Sequence, residues 1–318
     1  MKSERVKWEF LLCNVELPKT IQLQDFSIVP LDDYHEKIKR LKQLSQKNIS
    51  IETVRAKTTT PLTASEADEK VRILLSLLSF AQGRTITYST KFSYSDSNDR
   101  IEHRVATVFG KSHGPIVITA NELENFLKAG TVTLNESNRE TDTLLQALYW
   151  YNLGFLGYSI QEFFIKRWIA FEIFVENYYL NKPKRIIPKK KFPREEIKEA
   201  IESILVDHKY DEKQIKRVLN AADRHLNRVD FMYKAKQFLF DDVGLPNIDL
   251  RKLDELYETR NNLFHQGFGS EEGIQEWTHG MLLENLVQRI ILAKIDFRNA
   301  YFSGNFWRNP FTYAIGKP

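Results

Sequence analysis

Arg260-Asn261-Asn262-Leu263-Phe264-His265 puts a guanidinium, a carboxamide and an imidazole within six consecutive residues. Arginine keeps its charge at any working pH and can hold a phosphate through two parallel hydrogen bonds. Histidine gives or takes a proton near neutral pH. Brought together, the two are a minimal set for cutting RNA without a metal. The spacing alone is a weak signal, since a chain with 7 histidines and many arginines yields about one such pair by chance. Specificity has to come from the elements that carry the residues.

The apolar spacing predicts a helix over 249–266 with Gly267 as its C-terminal cap. At about 100° per residue, Leu253, Leu256, Tyr257, Leu263 and Phe264 form one apolar stripe and Arg260 falls in the middle of it. That is an unusual place for a guanidinium, because an unpaired buried charge costs several kcal/mol. Asn261 and His265 are i,i+4 neighbours on the flank of the stripe. Plain structural readings stand beside the chemical one. Arg260 could serve a buried or interface ion pair, with Glu172 as the supporting carboxylate. His265 could simply favour the negative end of the helix dipole, and Asn261 could be an ordinary surface amide.

The remainder of the chain separates into two rhythms. Residues 1–136 read as a mixed α/β domain. Strands are expected at Lys7 to Leu17 and Ser50 to Arg55, and helices at Asp32 to Gln46 and Ser65 to Ala81. Thr85 to Tyr94 and Glu102 to Phe109 suggest a hairpin across the polar turn 95–100. A short helix is expected from Asn121 to Lys128, ending at Gly130. This half shows no glycine-rich phosphate loop, no HExxH and no Ser-His-Asp spacing. The polar run 135–141 marks the boundary. Residues 137–318 read as almost wholly helical, with helices near 140–154, 158–180, 193–207, 212–238, 249–266 and 273–300. The fold class expected is therefore α+β followed by an all-α helical bundle. Helix 158–180 is apolar on two sides. Phe164, Trp168, Phe171, Val175 and Tyr178 make one stripe and Ile165, Ile169 and Ile173 another, as in a helix buried in a core or an interface.

Composition narrows the setting. A chain of 318 residues, 42% hydrophobic and 28% charged, is long enough for about two domains with real cores. A formal net charge of +4 and a pI near 8.8 suit an anionic partner without specifying one. The one cysteine, Cys13, excludes an intramolecular disulfide and a cysteine-based zinc cage, and it fits a reducing compartment. Lys7, Glu9 and Glu16 interrupt the apolar residues of the N-terminus, which reads against a signal peptide. No apolar run approaches the roughly 18 residues of a membrane span. A cytoplasmic location with no membrane partner is expected.

The helical half resembles the HEPN superfamily (higher eukaryotes and prokaryotes nucleotide-binding domains). That family carries an Arg, often a polar residue next, and a His after four to six intervening positions, near the junction of its last two long helices. Arg260 to Gly267 fits this pattern. The strings Ala147-Leu-Tyr-Trp-Tyr-Asn152 and Arg167-Trp-Ile-Ala-Phe-Glu172 look like the first helices of HEPN domains in prokaryotic defence proteins, including the ApeA-like group. The resemblance covers about 140–300.

The resemblance implies a metal-independent endoribonuclease without cofactor, acting in phage defence by abortive infection or as a toxin. It implies a homodimer in which the Arg and His of both copies meet in one composite cleft. His265 would act as general base or acid on the 2′-hydroxyl or the leaving 5′-oxygen. Arg260 would stabilise charge developing on the phosphate. Asn261 would position the phosphate or orient His265. The products would carry 2′,3′-cyclic phosphate and 5′-hydroxyl ends, from RNA substrates that include tRNA. A phage-derived trigger or an antitoxin would be the protein partner, with residues 1–136 as sensor or restraint. The alternative is a non-catalytic HEPN module that binds RNA, a nucleotide or a protein. A weaker third reading is a helical scaffold in which the motif is chance.

Outside the motif, Lys184, Arg185, Lys189, Lys190, Lys191 and Arg194 form the strongest basic cluster, held extended or turned by its prolines. It could grip an RNA backbone, or be a solvated loop. The aromatic tail 301–313 could stack on bases, though packing on its own domain is the commoner role. His103, His113 and His279 show no pairing with one another for a metal.

Overall fold

The computed structural model describes residues 4–43, 50–94, 100–105, 116–157, 159–180, 194–225, 230–244, 250–266 and 273–297, with side chains at 194, 221–225, 250, 265–266 and 273–276 outside that description. The chain divides into two compact units, Met1–Phe174 with Val243–Pro318, and Val175–Asp242.

The first unit is built on an antiparallel sheet. Its strands are β1 (Lys7–Cys13), β2 (Ile21–Gln22), β3 (Phe26–Pro30), β4 (Glu52–Thr58), β5 (Thr87–Tyr94) and β6 (Arg100–Arg104), in the order β2-β3-β4-β1-β5-β6. Central β1 alternates as a strand should. Phe10 lies opposite Ala56 and Lys91, and Glu9 lies opposite Lys57 and Phe92. Lys91 bonds Asp68 of helix α2 (Ala64–Gln82), which places α2 over the Phe10 face. On the other face the buried Glu9 lies under long cationic side chains. Arg55 is at 3.0 Å, Lys57 at 3.4 Å and Arg100 at 3.7 Å, and the Tyr94 hydroxyl donates to it at 2.8 Å.

Helix α2 starts where Thr63 and Glu66 form a reciprocal capping box and stops at Gly83, whose φ of 62° suits a residue without Cβ. Helix α1 (Tyr34–Gln43) precedes β4. Helix α3 spans Leu123–Leu134, so it runs through Gly130 instead of ending there. The glycine serves close packing: a Cβ at Gly130 would lie 2.7 Å from Leu77 Cδ2 of α2. Helix α4 (Arg139–Leu153) is capped by Asn138, whose side chain accepts from Thr141 N–H. Helix α5 (Ile160–Tyr179) contributes its first three-quarters to this unit, with α9 (Leu250–Gln266) and α10 (Gly273–Lys294). Phe80 of α2 packs on Phe126 of α3 at 5.7 Å and on Tyr151 of α4 at 5.2 Å. Sheet helix and bundle helices therefore share one aromatic core.

The second unit holds the end of α5, α6 (Arg194–Asp207), α7 (Glu212–His225), α8 (Phe231–Gln237) and a π-turn, Phe238–Asp242. The single helix expected over 212–238 is thus two helices, the second capped by Asp230. Lys234 bonds both carboxylate oxygens of Glu176 at 2.7 and 2.8 Å. Tyr178 donates to Asp241, and burial together with that carboxylate pushes its hydroxyl up to about 12.

The α+β and then helical order matches the expectation. The hairpin's second strand covers Arg100–Arg104; the expected residues 106–109 fall outside the described residues. Among the described residues, no helix is long and apolar enough to cross a membrane.

Candidate functional site

Helix α9 packs by Leu253, Leu256 and Leu263, all buried, and Tyr257 meets Trp168 of α5 with ring centroids 6.0 Å apart. Arg260 is half-buried at the border of that stripe. Phe264, expected inside the stripe, is 51% exposed. The guanidinium of Arg260, one turn earlier, lies over the Phe264 ring at 4.5 Å. Arg260 Nη1 donates to Asn261 Oδ1 at 3.1 Å, and Nε is shielded from solvent without an acceptor. No ion pair joins Arg260 to a carboxylate among the described residues, so the bond to Glu172 that the plain structural reading offered is not formed; Glu172 is half-buried on α5 with interactions of its own. The structure thus brings Arg260 and Asn261 together. The backbone of His265 continues the same helix, and its side chain lies outside the described residues, as do Lys184, Arg185, Lys189, Lys190 and Lys191 and the side chain of Arg194.

A second arginine shows what full neutralisation looks like here. Arg167 of α5 has no exposure at all. Its Nη2 donates to Glu284 Oε1 of α10 at 2.9 Å, its Nη1 donates to the Tyr151 carbonyl of α4, and its guanidinium stacks 3.7 Å from the Tyr151 ring. The Tyr151 hydroxyl donates to Glu284 at 3.2 Å and accepts from Gln288 at 2.7 Å. Burial, reinforced by the Glu284 charge, drives the Tyr151 hydroxyl well above its ordinary range. A Cβ at Gly154 would stand 2.2 Å from Arg167 Nη1, so only glycine leaves room for the guanidinium. This network joins α4, α5 and α10 and is structural.

His279 of α10 was not paired by sequence reasoning, yet it lies against the motif helix. Its Nδ1 is 2.7 Å from the Thr259 hydroxyl, next in sequence to Arg260, and its Nε2 is 3.5 Å from Glu255. The Thr259 hydroxyl also lies 3.0 Å from the Glu255 carbonyl, to which it donates. Spacing within α9 offers the signal that was missed: Lys252, Glu255 and Thr259 share one face and leave room for a polar side chain from a neighbouring helix. Burial lowers the His279 pKa below the ordinary 6.5, outweighing the upward pull of Glu255. The Lys252 hydrogen bond holds Glu255 below the ordinary carboxylate value.

The sign for stability follows. The unfolded chain takes up a proton near pH 6.5 that the folded chain accepts only at lower pH. Stability present above pH 6.5 should therefore fall as the pH drops toward the folded value, by at most about 1.4 kcal/mol per pH unit from this group. Urea unfolding at pH 7.5, 6.5 and 5.5 should show that slope in the wild type and a flatter one in His279→Asn. Equal slopes would remove His279 as the cause.

Elsewhere, Cys13 is buried on β1, and burial raises its thiol pKa. Among the described residues, no three His, Cys, Asp or Glu side chains converge as metal ligands. No family model, no curated protein and no solved structure matches the chain.

Proposed function

We propose that this chain is a metal-independent endoribonuclease of HEPN type, acting as a homodimer in phage defence or as a toxin inside the cell. The observation that carries the reading is the contrast between Arg260 and Arg167, two of the arginines on the bundle helices. Both leave Nε without an acceptor, but Arg167 is neutralised by Glu284, whereas Arg260 is half-buried and has no ion pair among the described residues. A partly desolvated cation without a counter-charge is costly, and an anion from outside relieves that cost. Asn261 holds one edge of the guanidinium and Phe264 its face, which fixes its orientation before a phosphate arrives.

In this reading the 2′-hydroxyl attacks the adjacent phosphorus as the bond to the 5′-oxygen breaks. His265 of one copy takes the 2′-hydroxyl proton and His265 of the other protonates the leaving 5′-oxygen. Arg260 binds the phosphate oxygens as negative charge builds on them, and the products are a 2′,3′-cyclic phosphate and a 5′-hydroxyl. The half-exposed Phe264 leaves an apolar margin beside Arg260 for the second copy. The basic run 184–194 supplies backbone grip, and a phage component or antitoxin acts through residues 1–136.

The test is cleavage of a mixed single-stranded RNA and a tRNA pool in EDTA, with the product ends identified. Cyclic phosphate ends are expected. Cleavage that EDTA abolishes, or 5′-phosphate products, would overturn the mechanism; saturable RNA binding with no cleavage would leave the binding module as the function.

A further inference from the structure

The sheet face that carries Glu9 holds more positive charge than its own carboxylates neutralise. On the α2 face, Lys91 meets both oxygens of Asp68 at 2.8 Å. On the Glu9 face, Arg55, Lys57 and Arg100 share one carboxylate, at 3.0, 3.4 and 3.7 Å. Strand alternation puts Lys7 and Arg104 on the same face. Arg104 pairs with Glu102 at 2.8 Å, and Lys7 is exposed. Five cations thus stand against two carboxylates, Glu9 and Glu102. Glu9 is buried beneath them, while the side chains of Arg55, Lys57 and Arg100 keep 39%, 50% and 49% of their exposure. The carboxylate gathers the cations and leaves their outer ends to solvent.

The register arranges this charge around a ring. Arg55 and Lys57 lie on β4, and Arg100 and Arg104 on β6, with β1 and β5 between them. Neighbouring strands are about 4.8 Å apart, so the two lines of cations are separated by about 14 Å. Between them, half-buried Tyr94 of β5 stands in register with Lys7 of β1 on one side and Arg100 of β6 on the other. Its hydroxyl donates to Glu9, which holds the ring in place among the cations.

We propose that this face binds a segment of single-stranded RNA, with phosphates on the cations and a base stacked on Tyr94. The excess of fixed positive charge selects a polyanion. The tyrosine selects a polyanion with planar rings, because base stacking on an aromatic side chain adds to the phosphate contacts. An acidic peptide or a duplex would use the cations and leave the ring idle, since the bases of a duplex are already stacked inside it. Contacts to phosphates and one ring are sequence-tolerant. The choice of RNA over DNA rests on the ribonuclease reading; the remainder follows from the face alone. It gives residues 1–136 a seat for the substrate strand.

The probe is a labelled 2′-O-methyl oligouridine. It lacks the free hydroxyl that the proposed cleavage needs, so binding is read whether or not the chain is a nuclease. Fluorescence anisotropy with the full chain should show saturable binding. Tyr94→Ala should weaken it about tenfold. Tyr94→Phe keeps the ring and loses only the bond to Glu9, and should bind like the wild type. Lys7→Ala/Arg104→Ala should flatten the slope of log affinity against log salt by about 0.7 for each phosphate contact removed. Both residues lie outside the Glu9 cluster, and circular dichroism of the double variant should match the wild type. Wild-type binding by Tyr94→Ala and by the double variant would overturn the proposal. So would equal losses in Tyr94→Ala and Tyr94→Phe, or polyglutamate that competes as well as unlabelled oligouridine, the mark of a face for acidic proteins. Tighter binding of oligothymidine than of oligouridine would overturn the choice of RNA.

Discussion

Glu284→Ala should destabilise the first unit by about 3–5 kcal/mol, the cost of leaving a buried charge uncompensated. Arg167 has no exposure, Glu284 is 1% exposed, and the Tyr151 hydroxyl and the Arg167 Nη2 both depend on one Glu284 oxygen. Deleting the carboxylate strands the guanidinium among the Tyr151, Phe155 and Phe163 rings, which stack on it but cannot neutralise it. Glu284→Gln should cost less, because it keeps an acceptor for both donors. The double variant Arg167→Met/Glu284→Leu should recover most of the loss, since apolar side chains of similar volume often replace a buried pair at little cost. Urea unfolding of the four proteins checks this. A loss below about 1 kcal/mol in Glu284→Ala would mean that water reaches the guanidinium and that the network is not buried as described.

Arg260→Met should behave in the opposite way. It should lower RNA cleavage by about 10²–10³-fold, the scale of one electrostatic donor to a developing oxyanion, while the unfolding midpoint stays level or rises. The arginine has no ion pair to lose among the described residues, and methionine can cover Phe264 without carrying a half-buried charge. Loss of function with retained or greater stability is the signature of a residue kept for binding or chemistry. A clear fall in stability would instead give Arg260 a structural role.

The elements that carry these residues were legible where one period runs long enough. α2, α4, α5 and α9 lie within a few residues of their sequence-based bounds, because each has several turns of regular apolar spacing. β2 and β3 escape that reading, being two and five residues long. Gly130 misled because a helix-internal glycine that admits Leu77 looks, in sequence, like one that ends a helix. In the candidate site, helical spacing put Arg260 in the middle of the apolar stripe, whereas it is half-buried at the stripe's border, because Phe264 is exposed. It could not show that Glu172 leaves Arg260 unpaired, nor that Arg167 rather than Arg260 holds the buried ion pair, since Glu284 lies 117 residues further along the chain. His279 was equally hidden: its partners Thr259 and Glu255 belong to another helix, and only packing brings them together.

The most direct test of the central claim runs wild type, Arg260→Met and His265→Ala side by side on single-stranded RNA and tRNA in EDTA, across a range of protein concentrations. A dimeric, metal-independent nuclease should give cleavage by the wild type alone, cyclic phosphate ends, and specific activity that climbs with concentration as dimers form. Equal background from all three proteins, with the wild type monomeric throughout, would contradict it.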